Sequence, residues 1–143
     1  MKKILTGLLF WVGICMGYGQ TFTLKYYQWK QRVLLVFTPD ATQPLLQQQL
    51  NEINQDKTGY SERDLVVIRI YATTMEIGEE KPGVSSAVVQ QLRTEFQVDA
   101  DAFCVILLGK DGGEKLRSTK VIPTRKLFDV IDAMPMRKNE KNQ

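Results

Sequence analysis

The sequence predicts an α/β sandwich around a mixed sheet, with its elements in the order β-α-β-α-β-β-α. Three observations carry this. Apolar runs near residues 32–37, 64–71 and 102–108 alternate with segments whose apolar residues recur every three or four positions, the signature of strands joined by helices. Parallel pairing and right-handed crossovers are therefore expected among the first three strands. A Lys110-Asp111-Gly112-Gly113 turn then folds a last strand back as an antiparallel hairpin, which makes the sheet mixed. The chain of 143 residues, 43% hydrophobic and 24% charged, suits one domain with its own core.

The first residues stand outside that fold. Lys2 and Lys3 give a basic start, residues 4–16 form an apolar run too short to span a bilayer, and Gly17-Tyr18-Gly19 places small residues where a signal peptidase reads. Residues 1–19 are expected to be a secretory signal peptide cleaved between Gly19 and Gln20. Residues 20–136 then form the domain and 137–143 a polar tail. Cys15 as a lipid-bearing cysteine is disfavoured, because Ile14 stands where a small residue is needed. The expected location is periplasmic or secreted, with no membrane span after cleavage. Loss of Lys2 and Lys3 lowers the formal charge from +3 to +1, so charge gives no reason to expect a nucleic acid partner. Cys104 is left alone and has no internal disulfide partner.

The elements follow in order. Residues 24–30 (LKYYQWK) read as a half-exposed aromatic edge, with Tyr27 and Trp29 expected to pack over the core. Residues 32–37, mostly Val and Leu, read as a buried strand ending at Pro39. Leu46, Leu50 and Ile53 then mark one face of a helix over 43–57. Asp40 and Gln43 suit a capping box, Pro44 a first turn, and Gly59 a C-terminal stop. Residues 64–71 (DLVVIRIY) read as a second buried strand, and 72–83 as a long polar loop without secondary structure.

Val88, Val89, Leu92 and Phe96 mark a second helix over 85–96, with Ser85 as N-cap. Residues 102–108 (AFCVILL) form the third strand. Residues 114–118 return with Leu116 inward and Lys115 and Arg117 outward. A third helix covers 124–133, and the ending MRKNEKNQ is expected to fray.

These pieces resemble a known family. The element order is that of the thioredoxin fold, and VLLVFTPDAT and FCVILLGKDGGEKLR resemble the first strand and later hairpin of peroxiredoxins. YQWKQRVLLVF, ERDLVVIRI, GKDGGEKLR and LFDVIDAMPMR, in that order, are similar to domain of unknown function 4174. It is a family of small exported bacterial proteins with animal relatives among sushi-repeat-containing extracellular proteins. The resemblance implies a thioredoxin-like three-layer sandwich related to peroxiredoxins. It implies no established activity, and it suggests a binding role.

Candidate chemistry is sparse. Redox enzymes of this fold hold a thiolate at the helix start, but no cysteine lies between Pro39 and Leu50. The chain has no histidine, so Thr42 has no imidazole base to activate it. Asp40 and Thr42 are read as a vestigial corner that caps a helix. Cys104, inside an apolar strand, is read as inert packing. Lys110, Asp111, Lys115 and Arg117 are the candidate binding residues, within a basic stretch that also holds Lys120, Arg125 and Lys126. Glu76, Glu79 and Glu80, or Asp99 and Asp101, offer oxygen ligands without an ordered loop, so no metal and no cofactor are expected. The expected function is an exported, non-catalytic module binding an unknown protein or surface glycan. The competing expectation is an enzyme, either a thiol-dependent oxidoreductase using Cys104 or another chemistry at the Asp40/Thr42 corner.

Overall fold

The computed structural model describes residues 21–143; the expected leader, its cleavage point and Cys15 lie outside the described residues. A 3-10 helix at Leu24–Tyr26 precedes strands β1 (Arg32–Phe37), β2 (Leu65–Ile70), β3 (Met75–Ile77), β4 (Cys104–Leu108) and β5 (Glu114–Ser118). The helices are α1 (Pro44–Gln55), α2 (Lys57–Glu62), α3 (Ser86–Phe96), α4 (Thr124–Asp132) and α5 (Pro135–Lys141). One sheet runs in the order β3-β2-β1-β4-β5.

The unbroken apolar run of β1 is explained by its central place, where both faces are buried. Leu34 and Val36 pack with Leu46, Ile53, Tyr60, Leu127 and Ile131 of α1, α2 and α4. Val33, Leu35 and Phe37 pack with Val89 and Leu92 of α3 on the other face. The result is a three-layer sandwich, with α3 on one side of the sheet and α1, α2 and α4 on the other.

Several expectations need correction. The first three predicted strands are not all parallel: β1 pairs parallel with β2, but antiparallel with β4. The reason lies in the segment expected to be an unstructured loop. Met75–Ile77 forms β3, antiparallel to β2, and reverses the chain. The α3 crossover therefore joins β3 to β4, two strands that run in the same direction. Three residues are too few to show a period, although Met75 is only 1% exposed.

The helix expected over 43–57 is α1, but a second helix, α2, follows where a stop at Gly59 was expected. The break falls at Asp56, whose φ of −147° is not helical and whose Oδ1 accepts a 2.8 Å hydrogen bond from Gly59 N at the start of α2. Gly59 is thus inside a helix and does not stop one. A Cβ there would lie 2.5 Å from Asp56 Oδ2 and 2.6 Å from Phe128 Cε2, so close packing selects glycine.

The lead-in, expected as a half-exposed edge segment, opens with a tight 3-10 turn in which Thr23 Oγ1 accepts from Lys25 N. Finally, the ending expected to fray is α5, whose Glu140 reaches back to the buried Arg32 at the start of β1.

Candidate functional site

The corner after β1 is the first candidate. Thr38 N donates to Ile70 O at 2.9 Å, and its hydroxyl donates to Asp40 O at 2.9 Å. Asp40 Oδ1 accepts from Thr42 N at 2.8 Å and Thr42 Oγ1 at 2.7 Å. The Thr42 hydroxyl first, and its N–H second, hold the Asp40 carboxyl below the usual range. This is a side-chain turn ahead of the helix. The N-cap of α1 is Gln43, which makes no side-chain cap bond, so Asp40 and Thr42 do not cap α1 and the expected capping box is absent.

The residue that organises this end was not singled out from sequence. Arg93 of α3 is 3% exposed and donates to Thr38 O at 2.9 Å, Tyr71 O at 3.1 Å and Asp99 O at 2.8 Å. One guanidinium thus ties the carbonyls beyond the ends of β1 and β2. Burial pushes its pKa down. The signal was present: Arg93 follows Val89 by four positions, on the stripe that includes Val89, Leu92 and Phe96. A charged residue there must bring its own partners inside.

Cys104 lies opposite Phe37 at this same end of the sheet, but it is 4% exposed within the α3-side core. Burial pushes its thiol up, away from the thiolate form.

The β4–β5 hairpin lies at the other end. Gly112 takes the positive φ of +80° that its turn requires. Lys110 points inward and donates to Asp64 Oδ2 at 2.7 Å and pairs with Glu140 Oε1 at 2.6 Å. Burial opposes its charge, but these two carboxylates outweigh burial and raise its pKa. Burial alone would raise Glu140; hydrogen bonds and charges from Lys110 and Arg32 overcome it and bring the carboxyl down to about 2. On the surface Asp111 pairs with Lys115 at 2.8 Å, and Glu114 holds Arg117 through two bonds of 2.8 and 2.9 Å. The four candidate binding residues therefore split: Lys110 turns inward to two carboxylates, while Asp111, Lys115 and Arg117 sit in exposed pairs.

The aromatic lead-in is fastened to this turn. Trp29 N donates to Lys110 O at 2.6 Å and Gln28 Nε2 to Asp111 O at 2.9 Å. Tyr27 packs as expected, at 8% exposed, but Trp29 does not: it is 63% exposed, and Tyr26 is exposed to 64%. Two concavities flank this end. A cleft of about 180 Å³ lies between the lead-in and the turn, and an open groove of about 610 Å³ runs beside β2 under α1 and α2. Gln31 lines both.

Of the loop carboxylates, Glu76 is occupied by its own neighbours. Glu76 pairs with Arg69 at 3.0 Å and Lys81 at 3.6 Å and accepts from Tyr71 Oη. Among the described residues no three acidic or cysteine side chains come together to hold a metal ion, and no helix is long and apolar enough to cross a membrane.

Comparison with known proteins places this geometry. A family model described as a domain of unknown function (DUF4174) matches residues 23–140. The rat sushi repeat-containing protein SRPX is 30% identical over 118 residues, 81% of this chain and 25% of that protein. The zebrafish coiled-coil domain-containing protein 80 is 24% identical over 132 residues, 82% of this chain and 15% of that protein. The chain thus spans a quarter or less of the length of these relatives. Among solved structures, a reduced 2-Cys peroxiredoxin of Plasmodium vivax matches with a TM-score of 0.56 at 15% identity, over 82% of this chain and 84% of that one. A thioredoxin peroxidase I from Plasmodium yoelii gives the same score and identity, over 82% and 79%. At this identity the likeness establishes the fold, which is thioredoxin-like, and no activity.

Proposed function

The chain belongs to the DUF4174 family, and from that premise we propose that it is an exported thioredoxin-fold module that binds and does not catalyse. The observation that carries this reading is the corner after β1. Where redox members of the fold need an exposed, activated thiol, Asp40 and Thr42 close on each other in a turn. Cys104 is the one cysteine among the described residues, and it is buried with a raised thiol pKa. The export part of the reading rests on the basic, apolar and small-residue order of residues 1–19.

Binding belongs at the opposite end, where the hairpin turn and the lead-in meet. Lys115 and Arg117 are part of that surface. Their pairs are exposed and therefore weak, so an incoming anion can take them over at little cost. Charge reversal of both residues is expected to weaken capture of an acidic partner, in a salt-dependent way.

A thiol-dependent enzyme is the competing reading, favoured by the position of Cys104 opposite Phe37, beside the corner. One experiment separates the two. In the native protein Cys104 is expected to resist alkylation and to label fully only after unfolding, and added peroxide is expected to persist. Peroxide loss that disappears in Cys104→Ser would establish the enzyme and remove the module, and rapid native labelling would overturn the reading of Cys104 as inert packing.

A further inference from the structure

The exposed rings at the hairpin end carry a more specific conclusion. Trp29 has a φ of +67°, a left-handed conformation that a bulky side chain adopts only at a cost. Glycine or asparagine would hold this turn more cheaply. The indole contributes little packing in return, since it is 63% exposed. The backbone beneath it is fixed by the bond from Trp29 N to Lys110 O. Strain is therefore retained under a ring that is displayed and not buried. Three residues earlier Tyr26 is displayed equally, with Lys30 Nζ 4.5 Å from its ring centroid.

The surroundings decide which ligand such rings suit. Lys25 and Lys30 are exposed, Gln28 and Gln31 are half-buried, and neither lysine has an ion pair among the described residues. The neighbouring cleft is lined by Lys25, Gln28 and Gln31 together with Glu95 and Asp111, and by neither exposed ring, and Asp111 is held by Lys115. A stable protein interface needs an apolar centre within roughly 800 Å² on each side. Two rings set among polar side chains do not supply one. A sugar chain fits better. The C–H face of a pyranose lies flat on an aromatic ring such as that of Trp29, its hydroxyls meet amide and ammonium groups, and a carboxylate on it would pair with Lys25 and Lys30, which have no carboxylate partner of their own among the described residues.

We propose that Trp29, Tyr26 and Lys30, with Lys25, form a binding site for an acidic oligosaccharide, a chain of uronate sugars. This rests on the reading of the protein as a binding module and names its ligand class.

Trp29 reports on the site directly. The sequence holds two tryptophans, so the full chain carrying Trp11→Phe leaves Trp29 as the sole indole. Hexagalacturonate is titrated against it, with the neutral cellohexaose in parallel. A saturable change in Trp29 fluorescence is expected with the uronate, with affinity falling as salt rises. The neutral sugar, Tyr26→Ala and Lys30→Gln should each bind at least about tenfold more weakly. Trp29→Gly, followed by calorimetry, should lose binding while its thermal midpoint stays level or rises, because glycine relieves the strain. No saturable response to the uronate, equal affinity for the neutral sugar, or undiminished binding by Tyr26→Ala and Lys30→Gln would overturn the site. A lowered midpoint in Trp29→Gly would show the indole to be structural and overturn its role as a displayed ring. Cysteine labelling fails or succeeds independently, so loss of this site leaves the module reading to its own test.

Discussion

Glu140 shows how much one surface-looking residue can carry. Its carboxylate stands between Lys110 at 2.6 Å and Arg32 at 3.3 Å, and the Arg32 side chain is only 1% exposed. Removing the carboxylate leaves a buried guanidinium with a backbone carbonyl, Arg63 O, as its remaining partner. The folded carboxyl lies at about 2, below its ordinary 4.5. Its contribution is therefore fully present above about pH 4.5 and is lost as pH falls toward 2. Glu140→Gln is expected to cost about 2 kcal/mol near neutral pH, allowing for partial solvent screening. Urea unfolding of both proteins from pH 7 to pH 2 checks this: the gap should narrow across the acid range. A gap that stays constant would mean that the charge is not what holds α5.

At the scale of elements, the instructive cases are the short ones. β1, β2, β4, α1, α3 and α4 follow from apolar runs and helical spacing, because each buries enough side chains to leave a pattern, while β5, which buries none, follows from the Lys110–Gly113 turn before it. β3, α2 and α5 have three, six and seven residues, and tertiary contacts decide them. In α2 the deciding contact is at Gly59, under the Phe128 ring of α4. Gly59→Ala is expected to lower stability by about 1–3 kcal/mol despite alanine's better helix propensity, because the Phe128 ring and Asp56 must shift. Denaturant unfolding measures it, and a stabilised variant would show that propensity outweighs packing there.

Across the whole molecule, one sheet joins two cores that do not touch each other directly. Leu34 faces the α1, α2 and α4 layer, and Leu35 faces α3, and both are fully buried. Because adjacent residues of β1 serve opposite faces, neither core can melt while the other keeps its central strand. Leu34→Ala and Leu35→Ala are each expected to cost about 2–5 kcal/mol and to leave a single transition. Coincident unfolding by circular dichroism and Trp29 fluorescence checks this, and separated transitions would mean independent layers. The same architecture separates two poles: the corner with Asp40, Thr42 and Arg93 at one end of the strands, and the hairpin turn with the aromatic lead-in at the other.

The sandwich, the central strand, the closing hairpin and the missing corner thiol are all legible in the residue order, since these depend on local pattern and on which residue types exist. The same order marks Lys110, Asp111, Lys115 and Arg117 as one basic turn. It takes the folded arrangement to turn Lys110 inward to Asp64 and Glu140, to let Arg93 tie the strand ends, and to display Trp29 while burying Tyr27. Each of those outcomes is a pairing between residues distant along the chain. Charge and aromaticity can be read from a residue's name, but burial and partners are set by what the fold brings beside it.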